Sequence, residues 1–141
     1  MCLKYQQEIA RISNCPPTDA RPCQRRVFRF VHSVVDERSF VPVAKLDPAR
    51  QFRNDHAYCS AHALSMFSIQ DKAKARYAEL LKRHKLIYKT LGTCLAAGNL
   101  IPEDGKATSP DGGGHFDFFE AAGANLCAKF EIVEVLHDEG T

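Results

Sequence analysis

His115 and Asp117 stand two residues apart in Gly112-Gly113-Gly114-His115-Phe116-Asp117-Phe118-Phe119-Glu120, directly after three glycines. On an extended strand alternate residues share a face, so His115, Asp117 and Phe119 point one way and Phe116, Phe118 and Glu120 the other. An imidazole and a carboxylate about 7 Å apart at Cα level have the spacing that holds one metal ion or couples a base to the group that orients it. The glycines ahead of them, Gly113 at their centre, can turn backbone N–H groups toward an anion and let the loop close over a ligand. The run has no Lys-Ser/Thr ending and leads into a strand rather than a helix, so it is not a nucleotide P-loop.

Other chemical groupings are poorer. A two-His, one-carboxylate iron site needs a second histidine, for which His137 is the only downstream candidate. Cys59-Ser60-Ala61-His62 sets a thiol near an imidazole, but catalytic partners meet through the fold rather than along the chain. Ser60 and Ser65 read instead as hydrogen-bonding groups on a pocket wall. The six cysteines include no Cys-x-x-Cys pair, so no zinc or other metal is expected, and they read as reduced, small apolar residues.

The elements that must position these groups follow from periodicity. Arg26 to Val34 is rich in aromatic and β-branched residues and reads as a strand with Phe28, Phe30, His32 and Val34 on one face. Ala63 to Phe67 is a second strand, followed by a helix from about Ile69 to His84 whose apolar face carries Ala73, Tyr77, Leu80 and Leu81. Leu86 to Leu91, His115 to Phe119 and Ala128 to Leu136 complete the strands, with Phe40 to Ala44 as a short edge segment. One long helix among about five strands, with few crossovers of βαβ length, predicts an α+β fold with a mixed or antiparallel sheet.

Residues 4 to 13 carry Ile9 and Ile12 on a short, separable helix, and residues 14 to 25 are rich in Pro and Arg. The expected organisation is therefore an N-terminal helix and connector over 1–25 and one α+β domain over 26–141. At 141 residues, with 45% hydrophobic and 26% charged residues, the chain can bury a core. It has no apolar run of the roughly 18 residues needed to span a bilayer. The first residues lack a secretory pattern, and a cytoplasmic protein is expected.

Arg29-Phe30-Val31-His32-Ser33, Leu64-Ser65-Met66-Phe67 leading into a helix, and Glu120 at the end of the His115 strand together resemble the ADP-ribosyltransferase superfamily and its RES-type relatives. The resemblance spans about 26 to 136. It implies NAD as a substrate, cleaved at the nicotinamide–ribose bond. By the same resemblance Arg29, Gly113 and His115 bind the dinucleotide, His32 orients it, Ser65 lines the nicotinamide pocket and Glu120 stabilises positive charge on the ribose. The chain departs from the family in having no Ser-Thr-Ser run and no Glu-x-Glu pair, which leaves Glu131 and Glu134 as alternative acids.

Two other classes compete. A non-catalytic module, or a subunit of a multi-protein bacterial system, would bind a protein partner through residues 1–26 by seating Ile9 and Ile12 in a groove. A nucleic-acid binder would use Lys72, Lys74, Arg76, Lys82, Arg83 and Lys85 together with Arg21, Arg25 and Arg26. The net charge of +2 separates neither.

Overall fold

β1 (Arg25–Val31) runs through the middle of the sheet and is buried on both sides, which explains why its apolar residues do not alternate with polar ones. Val27 and Val31 pack into a cluster with Met66, Ala96, Phe116 and Phe118, while Phe28 joins Phe67, Leu95 and Ala97 on the opposite face. This computed structural model describes residues 1–138, so the last three residues of the expected domain lie outside the described residues.

Six strands occur among the described residues: β1, β2 (Leu64–Phe67), β3 (Cys94–Leu100), β4 (Gly105–Ala107), β5 (His115–Glu120) and β6 (Glu131–Val135). They form one sheet in the order β4-β5-β2-β1-β3-β6, with every pairing antiparallel. β1 and β3 are registered along their whole length, from Arg25↔Leu100 to Val31↔Cys94. β1 and β2, in contrast, share only the pair Phe28↔Phe67. Beyond that pair no ladder joins the two strands, so β4-β5-β2 and β1-β3-β6 meet within the sheet at one residue pair and splay past it.

The long helix α4 (Gln70–Arg83) matches its expected span and covers the Phe28 face. Ala73 and Tyr77, one turn apart, are its buried residues, and the Tyr77 hydroxyl donates to the Gly92 carbonyl at 2.9 Å. Ring contacts of 5.3 Å join Phe30 to both Phe67 and Tyr77. On the opposite face Phe40 packs against Phe130, with centroids 5.1 Å apart.

Four local expectations are corrected. The segment expected as a strand over Leu86–Leu91 ends in the short helix Tyr88–Leu91, which Gly92 stops at φ +93 before β3 begins. The expected edge segment Phe40–Ala44 is instead a 3₁₀ turn, Glu37–Phe40, followed by the helix Val43–Leu46. Asp36 caps that turn, accepting from Arg38 N while its own N–H donates to Ser39 Oγ. β1 ends at Val31, so His32 lies past the strand. The sheet has six strands rather than about five, because β3 and β4 were not expected as separate strands.

The N-terminal segment is built into the fold. Ile9 and Ile12 are buried with Leu3, Cys59, Ala63 and Phe119, so the two side chains expected to engage a partner are used within the chain. Leu3 bridges Ala121, and Cys15 forms a disulfide with Cys59 on the helix α3 (Asp55–Ser60). That bond corrects the expectation of reduced cysteines for this pair; Cys2, Cys23, Cys94 and Cys127 are free thiols. No helix among the described residues is long and apolar enough to cross a membrane.

Candidate functional site

Where β1 and β2 splay, a cleft of about 1520 Å³ opens, lined among others by Arg29, His32, Ser65, Gly113, His115 and Asp117. The three strands that carry Arg29, Ser65, His115 and Asp117 are neighbours in the sheet, in the order β5-β2-β1, with His32 just past the end of β1 and Gly113 just before β5. Arg29 spans the split. Its Nη1 donates to the Ser65 carbonyl at 2.8 Å, a main-chain acceptor that continued strand pairing would have occupied, and its Nε donates to the Ser39 carbonyl at 2.9 Å.

The guanidinium lies 5.9 Å from the centre of the Phe40 ring, and no carboxylate pairs with it among the described residues. Burial draws the Arg29 pKa down to about 10, with the Glu120 charge opposing the shift. It is therefore cationic at neutral pH. An unpaired cation at the back of a cleft favours an anionic ligand group.

β2 and β5 are paired so that Ser65 is the register partner of Asp117 and Phe67 of His115. This places three polar groups on one face. Ser65 Oγ lies 2.6 Å from His115 Nε2, and the Phe67 ring meets the imidazole edge-on at 5.5 Å. His115 Nδ1 faces Asp111 Oδ2 at 3.9 Å. Asp111 is itself held across the glycine turn, because its Oδ1 accepts from Gly113 N at 2.9 Å and His115 N at 3.0 Å. Gly114 adopts φ +76 there, a conformation that other residues take up only with strain. Lys72, one turn into α4, donates to the Gly112 carbonyl at 2.9 Å and ties the loop to the helix.

Asp117 is partly buried and accepts from Ser60 Oγ at 2.7 Å, while its N–H donates to Thr108 Oγ1. Burial raises its pKa above the ordinary carboxylate range, and the Ser60 bond and the nearby His115 and His56 oppose that rise.

Glu120 does not join this group. Strand alternation turns it away from His115 and Asp117, it does not line the cleft, and its carboxylate lies 3.6 Å from Lys4 Nζ beside the N-terminal segment. Burial also raises its pKa, opposed by Lys4. Glu131 is exposed on β6, and Glu134 pairs with Lys74 at 2.9 Å; neither lines the cleft. Of the six residues expected to act at a site, five line the cleft and Glu120 does not; Arg29 lies on the Val27–Val31 face of β1 and reaches the opening where it bonds the Ser65 carbonyl. Sequence reading missed Asp111 and Lys72 as members of the site. The four-residue spacing from Asp111 to His115 across a glycine turn was the available signal for the first.

The basic surface is partly neutralised, since Arg76 and Arg83 both pair with Glu79 and Lys74 with Glu134. Among the described residues no three His, Cys, Asp or Glu side chains gather as metal ligands would. The chain matches no protein-family model, and comparisons with curated proteins and with solved structures return no match.

Proposed function

We propose that the cleft binds NAD and cleaves its nicotinamide–ribose bond, the activity that the resemblance to ADP-ribosyltransferases implies. The observation that carries this reading is the adjacency of β1, β2 and β5 around one opening, which brings Arg29, His32 and Ser65 together with an acid. The acid in this reading is Asp117 rather than Glu120, because Asp117 is the carboxylate of β5 that faces the cleft. Arg29 offers its charge to the pyrophosphate, and the Gly112–Gly114 turn borders the same space. Departure of nicotinamide leaves positive charge on the anomeric carbon, which an ionised Asp117 lowers in energy electrostatically. The chemistry parallels the oxocarbenium-like transition state of glycoside hydrolysis, where a carboxylate serves the same end.

The cytoplasmic location is part of this proposal, as NAD is an intracellular substrate, whereas the Cys15–Cys59 disulfide is of the kind kept in oxidising compartments. The competing module that docks through residues 1–26 loses its anchors, since Ile9 and Ile12 are buried within the chain. Chromatographic measurement of nicotinamide released from NAD tests the reading. Release by the wild type and its loss in Asp117→Asn support it, and no release by the wild type removes it.

A further inference from the structure

Ser65 is exposed in the cleft, yet its hydroxyl is not simply solvated. It forms a 2.6 Å hydrogen bond to His115 Nε2, and the far side of that imidazole faces the Asp111 carboxylate at 3.9 Å. A Ser–His–Asp order of this kind is how a weak oxygen nucleophile is activated: the imidazole takes the hydroxyl proton, and the carboxylate orients the ring and faces the cation that forms. Sequence does not bring the three together. Ser65 comes from β2, His115 from the start of β5 and Asp111 from the glycine turn before it.

Asp111 is held in place by two main-chain N–H bonds, so its carboxylate is presented to the ring by the loop itself. The 3.9 Å separation is longer than a hydrogen bond, and catalytic bonds of this type commonly tighten when a ligand closes the site. Lys72 holds the same loop through the Gly112 carbonyl. Asp117, the register partner of Ser65, lies on the same face.

We propose that Ser65 is the acceptor of the ADP-ribosyl group, so that the protein modifies itself at Ser65. The inference rests on the NAD reading of the cleft and deepens it by naming the acceptor. In the step, a bond forms between Ser65 Oγ and the anomeric carbon of the nicotinamide ribose. The bond from that carbon to the pyridinium nitrogen breaks, and nicotinamide leaves as a neutral molecule with the electron pair. The hydroxyl proton passes to His115 Nε2, giving an imidazolium that faces Asp111. No oxidant, reductant or further reactant is needed. His115 is the base of the step, and Asp111 is a positioning residue that acts through it.

The test is incubation of the full chain with NAD, acid quenching within the first turnover, intact mass measurement and fragment mapping, with released nicotinamide quantified in parallel. The wild type gains one ADP-ribose, located on Ser65, in step with nicotinamide release. Ser65→Ala removes the adduct. His115→Gln slows its formation by about 10²–10⁴-fold. Asp111→Asn lowers the maximal rate of adduct formation at saturating NAD without raising the NAD concentration that gives half that rate, a split that simple loss of loop structure does not give. Nicotinamide release without an adduct on Ser65 overturns the proposal and leaves the cleft reading standing. Absence of both NAD binding and nicotinamide release removes the two together.

Discussion

Ser65 and His115 are 50 residues apart in the chain, and the antiparallel register of β2 and β5 closes their side chains to 2.6 Å. One register step in either strand would turn one of them to the opposite face. The contact therefore depends on the whole β2–β5 ladder, which the apolar residues Leu64, Met66, Phe116 and Phe118 hold in place by burial on the other side.

The two acids of β5 are separable by mutation. Asp117→Asn is expected to lower NAD turnover by about 10²–10³-fold, the usual loss when one preorganised electrostatic group is removed. Glu120→Gln leaves turnover within about twofold. Burial raises the pKa of Glu120, so its charged form is disfavoured by folding. Stability on its account is greatest below its unfolded-state pKa and falls as pH rises toward the folded value. Glu120→Gln should therefore raise the melting temperature at neutral pH, with the gain vanishing in acid. Thermal scans across pH check this.

Ser60 tunes Asp117. Its 2.7 Å bond lowers the Asp117 pKa against the upward pull of burial, so Ser60→Ala should raise that pKa further. Turnover that needs the ionised carboxylate then fails at a higher pH than in the wild type as the solution is acidified. The acidic limb of the kcat/KM profile moves up, and a limb that moves down or stays in place contradicts the role given to Ser60.

The Cys15–Cys59 bond closes a loop of 44 residues between the N-terminal segment and α3. In the chain-entropy account such a cross-link stabilises by about 4 kcal/mol. Reduction, or Cys15→Ser, should lower the denaturant midpoint accordingly. Because Ser60 follows Cys59 directly and bonds Asp117, loss of the bond should also weaken turnover.

Gly92→Ala should be among the most damaging single changes. The glycine sits at φ +93, and an added Cβ would lie 2.1 Å from the Val31 carbonyl oxygen in the central strand. Main-chain atoms cannot give way as a flexible side chain can. Loss of soluble protein, or a melting temperature lowered by more than about 10 °C, is expected from the combined strain and overpacking.

How much could be read from residue order differs by element. α4 was legible because Ala73 and Tyr77 repeat at one helical turn, and β5 because aromatic residues mark it as extended. The shared face of His115 and Asp117 followed from alternation alone. β3 was not legible: Cys94-Leu95-Ala96-Ala97-Gly98 is made of small residues with little strand preference, chosen by close packing, as Gly98 shows where an added Cβ would lie 2.6 Å from the Phe130 ring. Residue order did not show that Glu120 turns away from the cleft toward Lys4, because which face of β5 meets the opening is set by its pairing with β2. Which residues meet across β2 and β5 is a non-local property that strand registration alone decides.

Titration of isotope-labelled protein with NAD, followed by nuclear magnetic resonance of the histidine side chains and of the Arg29 guanidinium, tests the central claim most directly. If the cleft between β1, β2 and β5 is the NAD site, the His32, His115 and Arg29 signals shift together and saturably while those of His62, buried beside Tyr58, stay in place. Unchanged His115 and Arg29 signals at saturating millimolar NAD would contradict the account.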